Sequence, residues 1–145
     1  DLGYEGVEPG TPGVAIPGNV TLLKEMVRNL VDNAINYTPS TADRAGVITA
    51  RVLLDPFSGA LVLQVEDNGP GIPAAERELV FQPFYRALGN EADGSGLGLP
   101  IVQEIARQHH AEIAVEDSRP GYSPPGTTFT LRFSPSAVNP PAEAA

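Results

Sequence analysis

The amino-acid sequence predicts one α+β domain, built from amphipathic helices and antiparallel strand pairs. Apolar residues recur at helical spacing over Val20 to Tyr37 and over Leu97 to Gln108. The 15 glycines and 15 prolines in 145 residues indicate many turns between the elements. Apolar and polar residues alternate, as in half-buried strands, in two pairs of segments: Val47 to Leu54 with Ala60 to Asp67, and Ala111 to Asp117 with Thr127 to Phe133.

Composition excludes several classes of function. The net charge of -9 argues against a general nucleic-acid or anionic-membrane binder, and it means that a phosphate ligand would need a divalent cation. The absence of cysteine excludes disulfides, thiolate metal sites and cysteine nucleophiles. No apolar run approaches the roughly 18 residues that span a bilayer.

The remaining segments carry weaker patterns. Residues 1–18 predict two short edge strands around a proline-rich turn, and residues 74–80 predict a short helical segment. Residues 87–93 are polar and flanked by glycine, which is typical of a lid over a binding site. The proline- and alanine-rich residues 134–145 predict a disordered tail, so the domain covers residues 1–133.

Two glycine-rich turns are the main functional signals. The first is Asp67-Asn68-Gly69-Pro70-Gly71-Ile72 and the second is Gly94-Ser95-Gly96-Leu97-Gly98-Leu99. Glycine lets backbone N–H groups approach a ligand, and the second turn enters a helix whose N-terminus favours a phosphate. A dinucleotide-binding turn is rejected, because no strand immediately precedes the second set of glycines.

Asparagines lie along one side of the first predicted helix. Asn29, Asn33 and Asn36 are four and three residues apart, so they share a face. They form either a solvated polar flank or a set of carboxamide oxygens for Mg²⁺, which prefers hard oxygen ligands. The N-cap of this helix is predicted at Asn19, and its end at Thr38-Pro39.

Two other polar features have open interpretations. Alternation places Asp67 on the core face of its strand, where it is either a turn residue or an acceptor for an exocyclic amine. His109 and His110 follow the second helix, where a capping or surface role is expected.

Five segments, in this order, resemble the conserved boxes of bacterial sensor histidine kinases. Residues 29–38 resemble the N box, 67–72 the first glycine box, 81–86 the F box, 94–99 the second glycine box and 126–129 the last box. The chain is therefore similar to the ATP-binding catalytic domain of these kinases, in the GHKL superfamily. The resemblance implies the Bergerat fold, a two-layer α/β sandwich. Its mixed, mostly antiparallel sheet of about five strands is covered on one face by about three helices, and ATP lies under a lid.

The resemblance also implies roles for individual residues. Asn33 would bind Mg²⁺, Asn29 would support the phosphates, and Asp67 would accept a hydrogen bond from the adenine amino group. The other positions that the resemblance assigns to ATP binding are Asn36, Tyr37, Gly69, Gly71, Ile72, Phe84, Arg86, Gly94, Ser95, Gly96, Leu97, Gly98, Leu99 and Thr127.

The implied function is to present the γ-phosphate of Mg-ATP to a histidine on a separate dimerisation domain, with no catalytic residue in this chain. Hydrolytic relatives carry a glutamate where this chain has Asn29, which argues against an autonomous ATPase. The resemblance further implies a monomeric isolated domain, cytoplasmic in a homodimeric parent anchored in the inner membrane, and a response regulator as downstream partner.

Three departures from the family pattern are present. One is His110-Ala111 after His109, where relatives often have Gly-Gly, and the other two keep alternatives open. Asn36 replaces a frequent Lys or Arg, for which Arg86 either compensates or forms a surface salt bridge. Glu91 and Asp93 make the predicted lid acidic. A nucleotide-binding regulatory module without phosphotransfer therefore remains an alternative, as does an anti-sigma-type serine kinase, although the F box favours the histidine-kinase branch.

Overall fold

Within the residues that the structure describes, the chain forms a five-stranded sheet with two α-helices packed against one face, which agrees with the predicted α+β class. The computed structural model describes residues 1–8, 15–85 and 96–134. The elements in chain order are β1 (Leu2–Gly6), α1 (Val20–Tyr37), β2 (Ile48–Leu54), β3 (Leu61–Asp67), two 3₁₀ turns (Ala74–Glu76 and Leu79–Phe81), α2 (Gly98–Gln108), β4 (Ala111–Glu116) and β5 (Thr127–Phe133).

The strand order confirms a mixed, mostly antiparallel sheet. It runs β1-β2-β3-β5-β4; β1 pairs parallel with β2, and the other pairs are antiparallel. The predicted edge strand in residues 1–18 is therefore present as β1. The described part of the second predicted strand, residues 15–18, is not a strand, because Ile16 packs instead against the hydrophobic core.

Local signals set the bounds of α1. The Asn19 side chain accepts a hydrogen bond from the N–H of Leu22 at 3.1 Å, which caps the first turn. The helix ends before Thr38, because the following Pro39 disfavours helical backbone at that residue. One stripe of the helix is fully buried against the sheet: Met26, Leu30 and Ala34.

The second helix is also placed as predicted, with Pro100 tolerated in its first turn. The predicted helical segment at residues 74–80 is formed by the two 3₁₀ turns. The C-cap of α2 is His109, which is buried. Its Nδ1–H donates to the carbonyl of Ile105 at 2.8 Å and its Nε2 accepts from the N–H of Asn19 at 3.1 Å. His109 thus joins the end of α2 to the start of α1.

The core lies between the helices and one face of the sheet. Phe129, Leu131 and Phe133 alternate inward along β5, as predicted, and are at most 3% exposed. The opposite face of the sheet is polar, with Arg51 paired to Glu5 and Glu66. No helix among the described residues is long and apolar enough to cross a membrane.

Candidate nucleotide-binding site

The site is centred on Asp67, the last residue of β3. Asp67 lies opposite Thr127 in the antiparallel register with β5, and its side chain is on the core face of the sheet. It is only 6% exposed. Its Oδ1 accepts hydrogen bonds from the N–H of Gly69 at 2.9 Å and the N–H of Thr127 at 3.2 Å.

Burial raises the pKa of Asp67, because a charged carboxylate loses solvation in the interior. The N–H groups of Gly69 and Thr127 and the nearby hydroxyl of Thr38 act in the opposite direction by favouring the charged form. The N–H groups of Gly69 and Thr127 both donate to the same carboxylate oxygen, Oδ1, and no described residue donates to Oδ2. The other carboxylate oxygen, Oδ2, is therefore available to accept from a ligand amine.

The loop before β5 holds the backbone of Asp67 in place. The hydroxyl of Ser118 donates to the Asp67 carbonyl at 3.0 Å, and Gly126 donates its N–H to the carbonyl of Gly69, also at 3.0 Å. Gly126 has a φ of +71°, and a Cβ at this position would collide with the Asp67 carbonyl oxygen. Only glycine permits this close approach of two backbones.

The turn after Asp67 is tied to the end of β4. Arg77 donates from Nε to the carbonyl of Ile72 at 3.1 Å and from Nη2 to the carboxylate of Asp117 at 2.9 Å. The side chain of Ile72 packs against the hydrophobic core. Neither Arg77 nor Asp117 can be identified as a site residue from the sequence, because 40 residues separate them and neither belongs to a recognisable motif.

Gly71 lies where the turn passes the β4–β5 loop. Its φ is +83°, and a Cβ would come within 2.7 Å of Cγ of Pro125. Gly121 has a similar φ of +85°, but a Cβ there would meet nothing within 4 Å. The two glycines therefore have nearly the same backbone conformation, which would strain any other residue equally, and they differ in packing.

We expect Gly71→Ala to destabilise the domain by about 1–3 kcal/mol more than Gly121→Ala, because the clash with Pro125 adds to the common cost of a positive φ. Urea denaturation of both variants measures the difference. Equal losses of stability would show that the packing of Gly71 against the loop is unimportant.

Asn29, one of the three asparagines of α1, borders the start of α2. Asn29 and Asn33 are partly buried, whereas Asn36 is exposed. A Cβ on Gly98, the first residue of α2, would lie 3.5 Å from Oδ1 of Asn29, so the two helices are close there. Within the described residues, no side chain caps the N-terminus of α2. The positive end of this helix thus lies beside the Asn29 carboxamide.

The Asn33 side chain suits a magnesium ion. Its carboxamide oxygen is a hard ligand of the kind that Mg²⁺ accepts, and its partial burial limits its motion. The described residues contain no cluster of three acidic or histidine side chains that could hold a metal. A Mg²⁺ ion held by Asn33 would need further ligands, because one carboxamide supplies a single oxygen to a six-coordinate ion.

The F box and the second glycine turn meet at the two ends of the predicted lid. The N–H of Phe84 donates to the Gly96 carbonyl at 2.8 Å, and a Cβ on Gly96 would lie 2.7 Å from Cα of Phe84. Phe84 has a φ of +63° and a ring that is 70% exposed. The lid itself, residues 87–93, lies outside the described residues, as do Arg86, Gly94 and Ser95.

The remaining residues that the resemblance assigns to ATP binding contribute different groups to the site. The Tyr37 carbonyl oxygen lies beside Gly69, and the ring is partly buried. Leu97 is the N-cap residue of α2. The side chain of Leu99 belongs to the hydrophobic core, so only its backbone could face a phosphate.

This fold and site define a GHKL-type ATP-binding domain. Residues 18–137 match the family described as "Histidine kinase-, DNA gyrase B-, and HSP90-like ATPase", and the chain belongs to that family. Curated relatives of the chain include signal transduction histidine-protein kinases, which confirms the resemblance seen in the boxes.

One of these relatives is the signal transduction histidine-protein kinase/phosphatase MprB of Mycobacterium sp. (strain KMS), which is 45% identical over 118 residues. The match covers 81% of this chain but only 22% of the relative's length.

Solved structures show the same fold. The mycobacterial sensor histidine kinase MprB is 30% identical with a TM-score of 0.74, and the match covers 92% of this chain and 83% of that one. The nucleotide-free catalytic domain of the histidine kinase ThkA is 26% identical with a TM-score of 0.71. This match covers 92% of this chain and 79% of the ThkA chain.

Proposed function

We propose that this domain binds Mg-ATP and presents its γ-phosphate to a histidine on a separate dimerisation domain. The observation that carries the proposal is the buried Asp67 carboxylate, one of whose oxygens is held by two backbone N–H groups. This carboxylate lies at the end of β3, on the sheet face against which α1 and α2 pack. The domain membership and the histidine-kinase relatives support the same function.

At the base end of the site, Asp67 Oδ2 accepts a hydrogen bond from the exocyclic amine of adenine. The resemblance also assigns Gly71 to the base end of the site, and the packing of this glycine against Pro125 fixes the turn beside Asp67. Tyr37 and Ile72 provide apolar surface for the two sides of the pocket. The base is thus recognised by one charged acceptor in a mostly apolar slot.

At the phosphate end, backbone N–H groups at the start of α2 and the side chain of Asn29 hold the triphosphate. Asn33 would hold the Mg²⁺, which when bound neutralises charge on the phosphates. Since phosphoryl transfer requires positioning and charge stabilisation more than covalent help from the protein, these residues suffice to present the γ-phosphate. Asn29 cannot accept a proton from water, so the domain does not hydrolyse ATP efficiently by itself.

The whole protein is proposed to be a two-component sensor kinase. The parent is a homodimer anchored in the inner membrane, with this domain in the cytoplasm, and its phosphorylated histidine supplies a response regulator. The 45% identity to a sensor kinase supports this assignment.

Calorimetric titration of the 145-residue chain with ATP, with and without Mg²⁺, tests the first half of the proposal. We expect saturable binding that strengthens with Mg²⁺, and no self-labelling from ATP radiolabelled at the γ-phosphate. Absence of binding at millimolar ATP would overturn the proposed site, and self-labelling would overturn the requirement for a separate histidine.

A chimera tests the second half. Residues 18–133 replace the matching region of the Mycobacterium sp. (strain KMS) relative, and phosphate on the phosphoacceptor histidine of the relative is measured. The unaltered relative is the control. Nucleotide binding without histidine labelling would overturn the kinase assignment and favour a regulatory nucleotide-binding module.

A further inference from the structure

The hydroxyl of Thr38 is buried without a partner. The residue is only 7% exposed, and its Oγ1 makes no hydrogen bond to any of the described residues. A buried polar group in this state lowers the stability of the fold, because it loses its hydrogen bonds to water and gains none in the protein. Its presence therefore calls for a purpose other than the stability of the nucleotide-free fold.

Helix capping does not use this hydroxyl. Thr38 is the C-cap residue of α1, but the contact to Ile35 is made by its backbone N–H. Valine has nearly the same shape and lacks the oxygen, so packing alone does not account for threonine. On the other side of Asp67, the hydroxyl of Ser118 is fully used, by the Asp67 carbonyl and by Thr128 at 2.9 Å.

Thr38 and Asp67 converge around Gly69. A Cβ at Gly69 would lie 2.8 Å from Thr38 Oγ1 and 3.1 Å from Asp67 Oδ1. The hydroxyl comes from the end of α1 and the carboxylate from the end of β3, so a helix end and a strand end meet at Gly69. The hydroxyl of Thr38 also acts to lower the pKa of Asp67, which favours the charged carboxylate.

We propose that Thr38 is a positioning residue for adenine recognition: in the nucleotide-bound domain its hydroxyl donates a hydrogen bond to the Asp67 carboxylate, which then accepts the exocyclic amine. This inference rests on the proposed ATP function and adds the group that orients the base-reading carboxylate. An ionised Asp67 accepts from the 6-amino group of adenine. A protonated Asp67 could donate to the 6-oxo group of guanine, so a hydrogen bond that favours the charged form also favours ATP over GTP.

The test compares Thr38→Val with Thr38→Ser in the 145-residue chain by calorimetry. We expect Thr38→Val to weaken ATP binding about tenfold, the effect of one charge-assisted hydrogen bond. Thr38→Ser retains the hydroxyl and should stay within about threefold of the original affinity. Purine riboside triphosphate, which lacks the 6-amino group, should bind the original chain and Thr38→Val within about twofold of each other.

Thermal denaturation of the nucleotide-free variants separates this role from a loss of folding. Thr38→Val should be at least as stable as the original chain, because it removes an unpaired hydroxyl. Unchanged ATP affinity in Thr38→Val would overturn the inference, and so would an equal loss for ATP and the 6-deamino analogue. Failure of the original chain to bind ATP would instead overturn the proposed function, so the two failures are distinguishable.

Discussion

Asp67→Asn is expected to weaken ATP binding by at least about 100-fold, because the side chain that reads the base becomes an amide. If the amide oxygen keeps the bonds to Gly69 and Thr127, its NH₂ group takes the place of Oδ2 and meets the adenine amine, donor against donor. If the amide flips, those two backbone N–H groups lose their acceptor. Either arrangement leaves buried polar groups unpaired.

The same substitution should stabilise the nucleotide-free domain at neutral pH, by about 0.5–2 kcal/mol. Burial raises the pKa of Asp67 in the folded state above its ordinary value of 3.8. Between the ordinary pKa of the unfolded state and the raised pKa of the folded state, the folded state binds more protons than the unfolded state. The free energy of unfolding therefore falls as the pH rises through this window. At neutral pH the original chain carries the whole cost of burying the ionised Asp67 carboxylate, and Asp67→Asn carries none of this cost.

Calorimetric titration with ATP measures the loss of affinity. Urea denaturation at a series of pH values measures the gain in stability. Asp43→Asn, which removes an exposed carboxylate, is the matched control and should alter neither. ATP affinity that survives in Asp67→Asn would show that Asp67 does not read the base. A stability difference that stays constant between pH 3 and pH 8 would show that burial of the charge is not its cause.

Asn33→Ala is expected to reduce labelling of the histidine in the chimera by at least about 100-fold and to remove the Mg²⁺ dependence of nucleotide binding, or the binding itself. Asn33 is partly buried beside Asn29, whereas Asn36 on the same helix is exposed. Alanine is a better helix former than asparagine, so both Asn33→Ala and Asn36→Ala should keep α1 intact.

The resemblance assigns Asn36 to ATP binding, but its amide is exposed, so labelling of Asn36→Ala is expected within about threefold of the original chimera and this variant serves as the comparison. Labelling and Mg²⁺-dependent calorimetry are measured on both variants. Asn33→Ala with unchanged Mg²⁺ dependence would place the metal on other ligands. Equal losses in both variants would indicate a phosphate contact by Asn36.

Sequence alone determined the elements whose signals are local. The bounds of α1 follow from the capping side chain of Asn19 and from Thr38-Pro39, and both are confirmed. Alternation along β3 and β5 placed Asp67, Thr127 and Phe129 on the buried face. These predictions succeeded because helical and strand periodicity report which side of an element is buried, whatever it packs against.

The tertiary structure decided the contacts that bring distant residues together. Ser118 is 51 residues from Asp67, whose carbonyl it holds, and His109 is 90 residues from Asn19. Periodicity contains no information on such pairs, which depend on the order of the strands and on how α1 and α2 lie over the sheet. The sequence marked Thr38 only as the end of a helix and of the N box. Its buried hydroxyl beside Asp67 emerged because a helix end and a strand end meet at Gly69.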